Sequence, residues 1–258
     1  LVGVSTDGIV SVNEIRKLIS PDTGLISIML ANNEVGTVQP VKEITRIAKK
    51  SGILVHTDAV QCLGKMDVNV SDLGVDFLSL SAHKFYGPKG VGVLYVKEPN
   101  RISSLIIGGG QEKGLRAGTE NIAAIAGMGL AAKYCSESLS EKQELLKKLE
   151  RQFKLGLKVF FKNAIFNGDQ SKKLPGLINV SLPKNKSGVL MAKLDREGIA
   201  ISNGPACGSG DVKPSPVLSE LGIDNQMNLS TLRISFGSSN TKEEVEYLLN
   251  KLELNLKR

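Results

Sequence analysis

The chain has 258 residues, 41% hydrophobic and 23% charged, enough apolar content for a sizeable core in one large domain or one and a half. Its net charge is +7, but the basic residues are dispersed among acidic ones, and 4% aromatics with no tryptophan leave few stacking platforms, which argues against a nucleic-acid binder. No apolar run approaches the ~20 residues of a membrane-spanning helix, and Leu1 to Gly8 lack the basic and apolar blocks of a signal peptide.

The first half alternates strand-like and helix-like segments. Leu25 to Leu30 reads as a strand. Val41 to Lys50 has helical spacing through Ile44, Ile47 and Ala48, and Gly52 is its stop. Ile53 to His56, Phe77 to Leu80 and Val91 to Val96 read as further strands. Such alternation predicts an α/β fold with a mostly parallel sheet and crossover helices. Asn121 to about Phe153 reads as mainly helical and bridges two domains. Beyond it lie a strand over Leu177 to Leu182, a helix over Ser187 to Glu197, strands over Ile199 to Ser202 and Leu232 to Phe236, and a terminal helix over Thr241 to Lys257 opened by a Thr241/Glu244 capping box. The expected division is residues 1–155, a large domain including the linking helix, and residues 156–258, a small α+β domain.

Cys62, Cys135 and Cys207 are odd in number and far apart, without metal-ligand spacing. A disulfide framework is not expected, and a reducing compartment is the default. Cys62 and Cys135 lie in apolar, helix-like settings and read as small core residues. Cys207 stands among Gly204, Pro205, Gly208 and Gly210, a loop setting in which a thiolate is accessible as a nucleophile.

Lys84 follows a strand-like run and precedes a turn forced by Gly87, Pro88 and Gly90. An amine there suits Schiff-base chemistry, with burial expected to lower its pKa and free the neutral nucleophile; the plain alternative is a surface lysine. Asp58 ends the apolar strand Ile53 to His56, at the edge where open α/β sheets bind ligands. There it can pair with the pyridine nitrogen of pyridoxal 5'-phosphate and keep it protonated. Taken alone, Asp58 also reads as a helix cap or turn residue.

In order along the chain stand Asn32-Asn33-Glu34-Val35-Gly36, His56-Thr57-Asp58-Ala59-Val60-Gln61, Ser81-Ala82-His83-Lys84-Phe85-Tyr86-Gly87-Pro88-Lys89-Gly90, Gly108-Gly109-Gly110-Gln111-Glu112 and Arg116-Ala117-Gly118-Thr119-Glu120-Asn121. The set resembles the cysteine desulfurases of the NifS-like class, pyridoxal-phosphate enzymes of the aminotransferase fold, from near Ile28 to the last helix. The resemblance implies that Lys84 bonds covalently to the cofactor and later shuttles protons, that Asp58 pairs with the pyridine nitrogen, and that Gln61 bonds the ring hydroxyl. Ser81 and His83 would hold the phosphate, a hydroxyl and an imidazole at alternate strand positions pointing the same way. Asn33 would contact cofactor and substrate, with Asn32 the structural partner. Thr119 would reach the phosphate of a neighbouring subunit, or cap the helix that follows, or both. Arg233 would receive the substrate carboxylate, and Cys207 would take the sulfur as a persulfide.

The implied reaction converts L-cysteine to L-alanine. The implied partners are a second copy of the chain and a sulfur acceptor or iron–sulfur scaffold protein, in the cytoplasm or, in a eukaryote, the mitochondrial matrix. Ile28 to Glu34 and Pro214 to Leu218 also resemble selenocysteine lyases, which keeps that activity as an alternative. The chain departs from the family at Pro205 and Gly208, where serine and threonine are usual, and lacks the family's glycine/threonine phosphate loop and ring-stacking histidine. The expectations that follow are a chain beginning in mid-domain with an uncovered sheet face and, as a second alternative, a truncated non-catalytic paralogue acting as a binding subunit.

Overall fold

The computed structural model of the chain describes residues 1–204 and 213–256. Its backbone runs through α1 (Val12–Leu18), β1 (Leu25–Met29), α2 (Val41–Lys50), β2 (Leu54–Asp58), α3 (Val70–Leu73), β3 (Phe77–Ser81), β4 (Gly92–Val96), α4 (Ile122–Glu137), α5 (Leu139–Phe160), β5 (Ile165–Phe166), β6 (Leu177–Ser181), α6 (Ser187–Arg196), α7 (Pro216–Glu220), α8 (Asn225–Asn228), β7 (Thr231–Ser235) and α9 (Lys242–Asn255). Among the described residues no helix is long and apolar enough to cross a membrane. Two compact units form: Ile15–Leu30 with Pro40–Leu139, and Leu1–Glu14 with Ala31–Gln39 and the described residues from Ser140 onward.

In the first unit β1, β2 and β3 are parallel neighbours and β4 runs antiparallel at the edge. The register sets Met29 beside Asp58 and Asp58 beside Ser79. Helix α2 buries Val41, Ile44, Thr45 and Ala48, a stripe at helical spacing, and packs against β2, whose Val55 and Thr57 are buried. Gly52 ends it at φ +70°, its N–H donating to the Lys49 carbonyl at 3.2 Å. The opposite side of the sheet carries Ser27, His56, Asp58, Ser79 and Ser81 in register, together with Leu25, Met29 and Leu94. Those three apolar residues are exposed. Phe77, on the same face beside His56, is buried, so the exposure covers only part of this side.

The second unit is built on the antiparallel sheet β5-β6-β7. Every residue of β6 is buried. Ile178 and Val180 pair in register with Ile234 and Leu232, and this face joins Leu149 and Phe153 of α5, Leu194 of α6 and Leu249 of α9 in one core. Each such side chain, fully buried, contributes roughly 1.5–3 kcal/mol. The alternate residues Asn179, Ser181, Thr231 and Arg233 make the other face polar. Helix α9 opens on the expected capping box: Thr241 Oγ1 accepts from the Glu244 N–H at 3.3 Å, and Glu244 Oε2 accepts from the Thr241 N–H at 3.0 Å. The strand expected over Ile199 to Ser202 does not form. Only Ser202 pairs, in a single bridge to Arg233, and Gly204 at φ +106° breaks the extended path. Ile199 and Ile201 pack on the core instead.

Candidate active site

Lys84 lies in one 3-10 turn, Ala82–Phe85, directly after β3. The turn forms because Ala82 and Phe85, 0% and 1% exposed, pack with Cys135 of α4. Tyr86 closes it in the left-handed region at φ 68°, and the Gly87 N–H donates to the Ala82 carbonyl at 2.9 Å. A Cβ at Gly127 would come 2.8 Å from Pro88 Cγ, so α4 approaches this turn as closely as glycine allows. Burying Ala82 and Phe85 leaves His83 and Lys84 exposed. The burial expected to act on the Lys84 amine is therefore absent.

Ser81 and His83 do come together, Oγ to Nδ1 at 2.8 Å. Strand alternation is not the reason, because β3 ends at Ser81 and the 3-10 turn brings the imidazole back over it.

Asp58 ends β2 at the same carboxyl edge and on the same face as Ser79 and Ser81. Its Oδ1 accepts from the Val60 N–H at 2.9 Å, so the turn role read from the sequence is real. Gln61 follows in that turn, half-buried. Sequence reasoning gave His56 no role. Its Nδ1 lies 2.8 Å from Ser27 Oγ and its Nε2 lies 2.9 Å from Ser79 Oγ, stitching β1, β2 and β3 two residues before Asp58. The available signal was its alternation with Asp58 along one strand. Thr119 is exposed and does not cap α4; Asn121 does, its Oδ1 accepting from the Ala124 N–H at 3.2 Å.

The second unit holds the remaining described residues. Asn32 is structural as expected, its Oδ1 accepting from the N–H groups of Glu34 and Val35 at 2.8 and 3.0 Å. Half-buried Arg233, on the polar face of β7, donates from Nη1 to the Asn33 carbonyl at 3.4 Å. Glu34, quoted in a motif but assigned nothing from the sequence, is only 3% exposed, and its Oε2 accepts from Ser215 Oγ at 2.6 Å. Burial pushes the Glu34 carboxyl above its ordinary value, against the Ser215 hydrogen bond and the Arg233 charge, which pull it down. Cys207 lies outside the described residues.

Cys62 and Cys135 are buried as expected, Cys135 in α4 and Cys62 in a turn after β2. Burial pushes the Cys62 thiol up to about 12.

The family model for aminotransferase class-V matches residues 1–248. The chain belongs to the class-V aminotransferase family. It is 43% identical over 251 residues to the cysteine desulfurase IscS of Clostridium botulinum, covering 96% of this chain and 63% of that protein. Among solved structures it superposes on a NifS-like protein with a TM-score of 0.90 at 41% identity, covering 98% of this chain and 66% of the other. A structure described as SspA in complex with cysteine matches with a TM-score of 0.75 at 33% identity, over 93% of this chain and 66% of that one. The chain spans less than two thirds of the length of these relatives.

The fold is thus that of the pyridoxal-phosphate-dependent class-V aminotransferases, and the donor set of the first unit suits that cofactor. A phosphate dianion takes hydrogen bonds from a hydroxyl and an imidazole, and Ser81 and His83 stand together. A pyridine nitrogen takes a carboxylate, and Asp58 stands on the neighbouring strand at the same sheet edge. In this class-V aminotransferase the Lys84 amine, the Asp58 carboxylate, the Ser81 hydroxyl and the His83 imidazole come from the ends of β2 and β3.

Proposed function

We propose that the chain belongs to a cysteine desulfurase that uses pyridoxal phosphate and takes sulfur from L-cysteine. The observation that carries this reading is the placement of Lys84, Asp58, Ser81 and His83 at one carboxyl edge of a parallel sheet. The names of the relatives support the substrate class. The cofactor, when bound, supplies an electron sink for the charge left on the substrate carbon. Lys84 holds the cofactor and moves the α-proton. Asp58 keeps the pyridine nitrogen protonated, Gln61 bonds the ring hydroxyl, and Ser81 and His83 bind the phosphate. Asn33 contacts the amino-acid substrate, and Arg233 takes its carboxylate with a two-pronged guanidinium. The Cys207 thiolate attacks the substrate sulfur. An S–S bond forms as the Cβ–S bond breaks, the bonding pair stays on carbon, and protonation gives alanine. A second copy of the chain, with Thr119 reaching its phosphate, and a sulfur-acceptor protein in a reducing compartment complete the proposal.

Borohydride reduction of the chain incubated with pyridoxal phosphate tests the reading. The cofactor mass should appear on a Lys84 peptide, and L-cysteine should yield alanine and persulfide in equal amounts. Labelling of another lysine, or sulfide release unaffected by Lys84→Ala, would sink it.

A further inference from the structure

The residues on either side of the Cys207 segment are tied to the neighbourhood of Arg233. Upstream, the Ser202 N–H donates to the Arg233 carbonyl at 3.1 Å and the Arg233 N–H donates to the Ser202 carbonyl at 2.6 Å. Downstream, Ser215 Oγ donates to Glu34 Oε2 at 2.6 Å. Ser215 is held twice more by Asn228, which accepts from its N–H at 2.8 Å and donates to its carbonyl at 2.9 Å. A Cβ built on Gly204 would meet Ser215 Cβ at 3.7 Å and Glu34 Oε2 at 3.9 Å, so both flanks converge on this one carboxylate.

The Glu34 backbone is fixed as well. Its N–H donates to Asn32 Oδ1 at 2.8 Å, its carbonyl accepts from Asn179 Nδ2 at 3.3 Å, and the preceding carbonyl, of Asn33, accepts from Arg233 Nη1. Holding a serine hydroxyl needs only a neutral acceptor. A carboxylate buried to 3% exposure costs desolvation energy that such a role does not require. The Arg233 guanidinium, whose Nη1 donates to the carbonyl of Asn33, the residue directly before Glu34, supplies the reason for keeping an acid there.

We infer that Glu34 is a positioning residue that couples the substrate-carboxylate arginine to the sulfur-accepting loop: one buried carboxylate sets Arg233 and pins the downstream flank of the Cys207 segment through Ser215. This rests on the roles proposed above for Arg233 and Cys207.

The two connections separate by substitution. Glu34→Gln is isosteric and keeps an acceptor for Ser215 while removing the charge beside Arg233. Ser215→Ala removes the hydrogen bond and keeps the charge. Two readouts apply to the full chain: KM and kcat for L-cysteine with pyridoxal phosphate, and, without cofactor or substrate, the rate of iodoacetamide alkylation at Cys207 followed by peptide mass spectrometry. Glu34→Gln should raise KM about 10-fold with little change in kcat and leave Cys207 alkylation at the parental rate. Ser215→Ala should speed alkylation roughly 3-fold or more and leave KM within about 2-fold. An unchanged alkylation rate in Ser215→Ala overturns the inference. So does an unchanged KM in Glu34→Gln when Arg233→Ala raises KM. If Arg233→Ala itself leaves KM unchanged, or the parent chain does not turn over cysteine, the proposed function fails instead, and the alkylation rates alone decide whether Glu34 and Ser215 hold the loop.

Discussion

The Cys135 thiol of α4 donates to the carbonyl of Phe85, the residue after Lys84, at 3.4 Å. One helix thus fixes the turn that presents the amine, through a thiol–carbonyl hydrogen bond and through the packing of Phe85. Phe85→Ala should cost about 3–5 kcal/mol of stability in urea unfolding. Cys135→Ala, which removes a small side chain and a weak donor, should cost about 1–2 kcal/mol. A Phe85→Ala chain of parental stability would mean that α4 does not hold this turn.

Asp58→Asn should preserve the fold, because an amide oxygen can still accept from the Val60 N–H. It should lower the rate of α-proton abstraction about 10²-fold, roughly 3 kcal/mol in barrier, since a neutral amide cannot keep the pyridine nitrogen protonated. Deuterium exchange at the substrate α-carbon measures it. A loss of only a few fold would leave Asp58 with the turn role alone.

Cys207→Ser should retain cofactor binding and form no persulfide from L-cysteine, because a hydroxyl is a far poorer nucleophile than a thiolate. The other cysteines cannot substitute for it. Both are buried, and desolvation holds the Cys62 thiol near 12, several pH units above neutrality. Iodoacetamide at neutral pH should therefore label Cys207 and leave Cys62 and Cys135 unmodified in the native chain. Sulfide release by Cys207→Ser at the parental rate would refute the assignment.

Glu150 of α5 is the centre of a buried charge cluster, accepting from Lys173 Nζ at 2.6 Å, Lys154 Nζ at 2.5 Å and the Gly176 N–H at 3.0 Å. Burial pushes its carboxyl up, but the Lys173 charge and the lysine hydrogen bonds outweigh burial and hold it below the ordinary carboxylate value. A depressed folded-state pKa stabilises the fold above the unfolded-state value, and this contribution is lost as pH falls through the depressed one. Glu150→Ala should cost about 3 kcal/mol at pH 7, because Lys173 is left buried without its partner. The difference from the parent should narrow as pH drops below the ordinary carboxylate pKa. Chemical denaturation from pH 7 down to pH 3 follows both, and a difference independent of pH would show that the ionised carboxylate is not the source.

Most of the elements were legible in the residues alone. Alternating apolar runs marked β1 to β4 with α2 between the first two, the Thr241/Glu244 pair marked the start of α9, and Lys84 and Asp58 stood out as polar residues at the ends of apolar runs, while Ser81 and His83 were singled out only by the family resemblance. These signals are local, since helix and strand periods and cap chemistry are written within a few residues.

Features that depend on distant partners were settled by folding. Ile199 to Ser202 has the composition of a strand, but one paired residue makes a bridge, and pairing is a property of two segments. The exposure of Lys84 follows from which turn residues α4 buries, Ala82 and Phe85, a contact made some fifty positions away in sequence by Cys135. Glu34 was legible as part of a motif and not as a buried acid. Its burial and its hydrogen bond to Ser215, 181 positions further along, exist only once Ala31–Gln39 folds into the same unit as β7. Desolvation and long-range hydrogen bonds act through space, and a linear reading of residue types carries no measure of that distance.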